Sequence, residues 1–256
     1  MQQDIDYGKA ISYGYGTFFE IVGKILPLAL VAGAVSLALQ LLGRFVGYII
    51  FDAGSLLSAV VMGAATIAST IVSLMVAGAI GGAIVKMIRG AEPDSVLPGV
   101  DALTSPAPGL AGVAIKMGLI LGALQAASSV LGSILGSKLG ALIGIVAGVA
   151  SIYLAVRWYF APIAATAEDL DRDQAMTRSE TMATGRFWNV VLLLIIIGIC
   201  AGIPVAICGG ILGALVGVVL GVVTSSIWVA AIAGGASMWA MITALLTPLA
   251  GAMLAS

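Results

Sequence analysis

Nine charged side chains stand between Arg157 and Asn189: Arg157, Glu168, Asp169, Asp171, Arg172, Asp173, Arg178, Glu180 and Arg186. Their types allow three kinds of chemistry. The acids Glu168, Asp169, Asp171 and Asp173 are dense enough to draw a cation. Arg172, Arg178 and Arg186 suit phosphates or the acids beside them. Carboxylates near a substrate can move protons. The spacing argues against catalysis and metal binding. The acids do not follow the calcium-loop pattern, no fixed turn geometry is evident, and basic neighbours compete for them. The chain has no His, which removes the commonest metal ligand and general base. No phosphate-binding glycine loop or paired intramembrane carboxylate occurs. The expectation is a non-enzymatic protein with no cofactor and no metal site.

The surrounding chain explains why so much charge gathers there. Only 9% of the residues are charged and 61% are hydrophobic, against about 25% and 45–50% in soluble domains. A helix needs about 20 apolar residues to cross a bilayer. Runs of that length predict an all-α, polytopic transmembrane bundle in a single membrane domain. Spans are expected at 25–50, 55–88, 110–136 and 139–164. The uncharged stretch 187–256 then holds two spans, for six in all, or three, for seven. Pro204 and the Cys208–Gly210 cluster suggest a broken helix there. Cys200 and Cys208, eight residues apart on one helix, lie about 12 Å apart, too far for a disulfide.

Polar segments punctuate these runs. The stretch 89–109, with its prolines and scattered acids, reads as a loop. The stretch 165–186 reads as a charged elbow. Before the first span, Tyr7, Ile11, Tyr15, Phe18 and Val22 recur at helical spacing. An interfacial helix at 4–20 is expected to anchor the depth of that span. The acidic, polar start of the chain points to a retained first span rather than a cleaved signal. Lys9, Lys24, Lys86, Arg89, Lys116, Arg157, Arg172, Arg178 and Arg186 fall on the N-terminal side of a six-span topology. Arg44 and Lys138 fall opposite. The bias places the N-terminus and both polar loops in the cytoplasm. A net charge of −1 offers no field for nucleic acid.

Two glycine ladders stand out. Gly132, Gly136, Gly140, Gly144 and Gly148 recur every four residues, as do Gly209, Gly213, Gly217 and Gly221. Such spacing lets helix backbones approach closely in lipid. It serves packing within the chain or a seam with a second copy or another membrane subunit; a glycine-lined pore lacks polar lining. Gln40, Thr66, Ser69, Thr70 and Ser73 offer hydrogen bonds inside the spans.

Ala161-Pro162, Glu168-Asp169, Ala175-x-x-Arg178-Ser179 and Gly185-x-Phe187-Trp188 follow in that order. The pattern resembles the membrane domain found beside some bacterial glycerophosphodiester phosphodiesterases, and related standalone six-span proteins. Glu180 departs from it, standing where an aromatic is common. The resemblance implies a membrane-embedded helper of the bacterial inner membrane and carries over no catalytic residue. The function expected is a scaffold or accessory subunit, with a transporter or channel for a small or lipid-like substrate as the alternative. The expected cytoplasmic contact surface comprises Arg157, Arg172, Arg178, Ser179, Arg186, Phe187 and Trp188.

Overall fold

A computed structural model describes residues 7–51, 55–135, 137–185, 187–192 and 194–196. The described chain is all-helical. With its composition, this makes it a helical membrane protein. The helices are α1 (Tyr7–Phe45), α2 (Leu56–Ile88), α3 (Pro93–Val96), α4 (Asp101–Thr104), α5 (Pro108–Leu135), α6 (Ser137–Trp158), α7 (Ala161–Ala167) and α8 (Arg172–Ala183). A π-helical turn, Val46–Ile50, closes α1. Helical turns resume at 187–192 and 194–196.

Among the described residues, three stretches are long and apolar enough to cross a membrane: Pro27–Phe45, Leu56–Ile88 and Leu142–Ala167. A fourth arises if Pro93–Thr104 and Pro108–Leu124, bent by 54°, count as one span. The two or three spans expected in 187–256 fall almost wholly outside the described residues.

Two features differ from the sequence reading. No break separates an interfacial helix from the first span. The 39 residues of α1 are continuous, about 58 Å at 1.5 Å per residue, nearly twice the hydrocarbon thickness. Gly8, Gly14 and Gly16 weaken helix propensity without ending the helix. The loop 89–109 also contains two single-turn helices, α3 and α4. Pro93 sits in the first turn of α3, where its missing N–H costs nothing.

Local signals explain the ends of α2. The Ser55 side chain accepts from the Ser58 amide at 3.1 Å, capping the start. At the other end Gly90 adopts φ +96°. That left-handed geometry lets the Ala91 amide reach back to the Lys86 carbonyl at 3.0 Å.

Helix α2 is the hub, with α1, α5 and α7 all packed on it. Against α1, it buries Val76, Ile80 and Ile84 with Ile21, Ile25, Leu28 and Ala32. Gln40 reaches across from α1 to donate to Ser69 at 3.3 Å. Thr66, Thr70 and Ser73 return their hydroxyls to the carbonyls four residues back, so they are satisfied without water.

Among the described residues, close approach depends on glycines outside the ladders. A Cβ at Gly63 would lie 2.7 Å from the Ala126 Cβ of α5. One at Gly81 would lie 2.8 Å from Ile163 of α7. Gly78 and Gly82 face Pro162 and Thr166 of α7, and Gly118 and Gly122 face Ile71 and Ile67. By contrast, among the described residues nothing lies within 4 Å of where a Cβ would stand at Gly144 or Gly148. Gly132 and Gly140 sit on α5 and α6, but their surroundings are outside the description. Gly136, Gly209, Gly213, Gly217 and Gly221 lie outside the described residues.

Substitution should separate the two sets. Gly63→Ala presses one unbranched Cβ onto another, so the backbone must move, at a cost of about 1–3 kcal/mol. That exceeds the gain of roughly 1 kcal/mol in helix propensity. Its unfolding midpoint in detergent should fall, while Gly148→Ala should be neutral or slightly raised.

Candidate functional site

The charged elbow is built by three devices. The first is the interruption of α6. Pro162 has no N–H for the Trp158 carbonyl, so the chain turns at Tyr159–Phe160 and restarts as α7. Six of the seven residues of α7 are buried, because the helix lies in the glycine groove of α2. The second is the Asp171 cap of α8. Its carboxylate accepts from the Asp173 and Gln174 amides at 3.0 and 2.9 Å, and Gln174 accepts in return from the Asp171 amide. This reciprocal box fixes where α8 begins. The third is the left-handed backbone at both flanks, Asp169 at φ +50° and Gly185 at φ +79°.

Helix α8 buries one face: Ala175, Met176, Ser179 and Ala183. Ala175 and Met176 join Leu110, Val113, Met117, Ala161 and Ala165 in a core cluster. The Ser179 hydroxyl donates to the Arg157 carbonyl at 2.9 Å. It thereby satisfies a carbonyl in the last turn of α6, which otherwise has no helical partner.

Ion pairs lash the same parts together. Glu180 accepts from Arg157 at 3.1 Å and from the Trp158 indole at 2.9 Å. Glu168 meets Arg89 at 3.2 Å and Arg178 at 3.4 Å, tying the end of α2 to α8. Lys86 meets Asp169 at 3.2 Å, Lys116 meets Asp173 at 3.3 Å, and Lys24 pairs with Asp94. Arg172 bonds its neighbour Asp173 at 2.9 Å. Each exposed pair contributes little alone, because water screens it. Their geometric effect is larger: charges distant in sequence gather at one end of the bundle.

The Arg172 hydrogen bond, reinforced by Lys116, holds the Asp173 carboxyl down to about 2. Asp173 raises the pKa of Arg172 in turn. These groups are solvent-exposed, so the shifts describe local pairing rather than a large stability reserve.

The expected contact surface divides accordingly. Arg157, Arg172 and Arg178 come together at the elbow, each engaged by an acid rather than open to phosphate. Ser179 does not belong to a contact surface, because it is 0% exposed and spent on the Arg157 carbonyl. Phe187 stacks on Tyr153 of α6 with ring centres 5.5 Å apart. Trp188 is 77% exposed. Arg186 lies outside the described residues. Sequence reasoning missed Trp158 and took Glu168 only as one acid of a cluster. Glu180 looked like a departure from a pattern, and nothing in the sequence ties it to residues 22 and 23 positions earlier. The Asp171-x-x-Gln174 box was the one local signal that marked where α8 starts.

Among the described residues, no group of three or more His, Cys, Asp or Glu side chains is placed to hold a metal ion. No family model, curated protein or solved structure matches the chain.

Two outcomes follow. Glu180→Gln removes the charge facing Arg157 and should speed hydrogen exchange in α8 while leaving α2 protected. Asp173 has a lowered folded pKa, so its contribution is complete above the ordinary value of 3.8 and is lost as pH falls through about 2. An acid titration of stability should lose part of its slope between those values in Asp173→Asn.

Proposed function

We propose that the chain is a non-catalytic, polytopic inner-membrane protein, a scaffold or accessory subunit of an oligomer or larger complex. The observation that carries this reading is the use of charge. Lys24, Lys86, Arg89, Lys116, Arg157, Arg172 and Arg178 each engage an acid. All of these pairs except Arg172–Asp173 tie segments distant in sequence, an arrangement that serves shape rather than turnover. The open row on α6, with Gly144 and Gly148 bare and Ile145, Val149 and Ile152 exposed, offers a seam to a second copy or another membrane subunit.

The proposal extends to topology and kinship. Six spans, with two in 187–256, put both termini on the elbow side. The basic bias makes that side cytoplasmic. The motif at 161–188 supports kinship with the membrane domain that accompanies bacterial glycerophosphodiester phosphodiesterases. The break at Tyr159–Phe160 inside a membrane-length stretch favours a second reading, transport of a small or lipid-like substrate, since interrupted helices line many transport sites.

Mass measurement of the protein in mild detergent tests the first reading. It predicts an oligomer, or a co-purifying membrane subunit, that Gly148→Leu disrupts. A strict monomer with nothing bound would overturn it. Orientation is read by cysteine labelling in a background lacking Cys200 and Cys208. Asp94→Cys should react only from the cytoplasmic side and Arg44→Cys only from the other.

A further inference from the structure

A cavity of about 110 Å³ lies beside the α6–α7 interruption. Leu74 of α2, Met117 and Leu121 of α5, Ala155 of α6 and Pro162 of α7 wall it, together with Tyr159 from the turn. Among the described residues, no charged side chain lines it, and the Tyr159 hydroxyl is the only polar side-chain group in its wall. Its α2, α6 and α7 walls fall within the stretches Leu56–Ile88 and Leu142–Ala167, each apolar enough for a membrane, and its α5 wall falls within Pro108–Leu124, the second half of the bent pair.

We propose that this cavity holds the terminal end of an acyl chain from a bilayer lipid. Three observations select that occupant. A water molecule needs two to four polar partners, and one hydroxyl does not supply them. A headgroup would bring charge into a lining that cannot pair it. A dry apolar cavity of about 150 Å³ takes benzene, so this smaller one suits a flexible chain end better than a ring. Access would be from the exposed face of α6. Ile145, Val149 and Ile152 are all exposed on α6, and Ile152 stands one turn before Ala155. Filling the space recovers dispersion contacts that the wall atoms otherwise lack.

The test uses the full chain reconstituted in phospholipid vesicles. The phospholipid carries a diazirine at the methyl end of one acyl chain or, in a second preparation, beside the headgroup. After photolysis, labelled peptides are mapped by mass spectrometry. The methyl-end probe should label Ala155–Ile163 more strongly than the exposed row Ile145–Ile152. Ala155→Phe, which fills the cavity, should reduce that labelling about tenfold, equivalent to roughly 1.4 kcal/mol. Ala77→Met on the α2 wall should act alike and decides the matter if Ala155→Phe does not elute as a single species. Tyr159→Phe should leave labelling intact, because a chain end needs no hydrogen bond. Equal labelling in the filled variants, or equal labelling by both probes, would mean ordinary surface contact with lipid and would overturn the proposal.

Discussion

The seating of α7 against α2 is the contact on which the rest of the structure depends. Lipid tails are as apolar as leucine, so hydrophobicity does little to drive helices together inside a bilayer. What remains is dispersion, which falls away within an ångström of extra separation. Gly78, Gly81 and Gly82 remove side chains from one surface of α2, and Pro162, Ile163 and Thr166 occupy the space. Helix α5 uses the same device lower down, with Gly118 and Gly122 against Ile71 and Ile67. Helix α2 can therefore hold three neighbours at once.

The polar end follows from that seating. Because α7 lies along α2, the chain leaves it beside the last turn of α2, where Lys86 and Arg89 stand. Glu168 and Asp169 come next in sequence and pair with them at once. Asp171 then caps α8, and α8 returns across the ends of α5 and α6. There Lys116, Arg157 and Trp158 find Asp173 and Glu180. The elbow is thus a consequence of packing within the membrane, secured by pairs whose partners lie far apart in sequence.

Much of this was legible in advance. Apolar run length marked the long helices α2 and α5. Gln40, Thr66, Thr70 and Ser73 behave as polar groups without water must. Other features were not legible for physical reasons. A four-residue glycine period says that a helix can be approached, not that anything approaches it. Gly144 and Gly148 fit the longest ladder and meet nothing in the described residues. The shorter Gly78-x-x-x-Gly82 repeat is where a neighbour sits. Pair partners such as Arg157 and Glu180 depend on how α7 and α8 fold back, which no local pattern encodes.

The seating of α7 is directly measurable in native membranes. A Cβ at Gly82 would overlap the Thr166 Cβ, whereas one at Gly144 meets nothing within 4 Å among the described residues. Gly82→Val should therefore lift α7 from α2 and speed hydrogen exchange across Ala161–Ala183, and Gly144→Val should leave it unchanged. Unchanged exchange in Gly82→Val, or equal acceleration in both variants, would contradict the account.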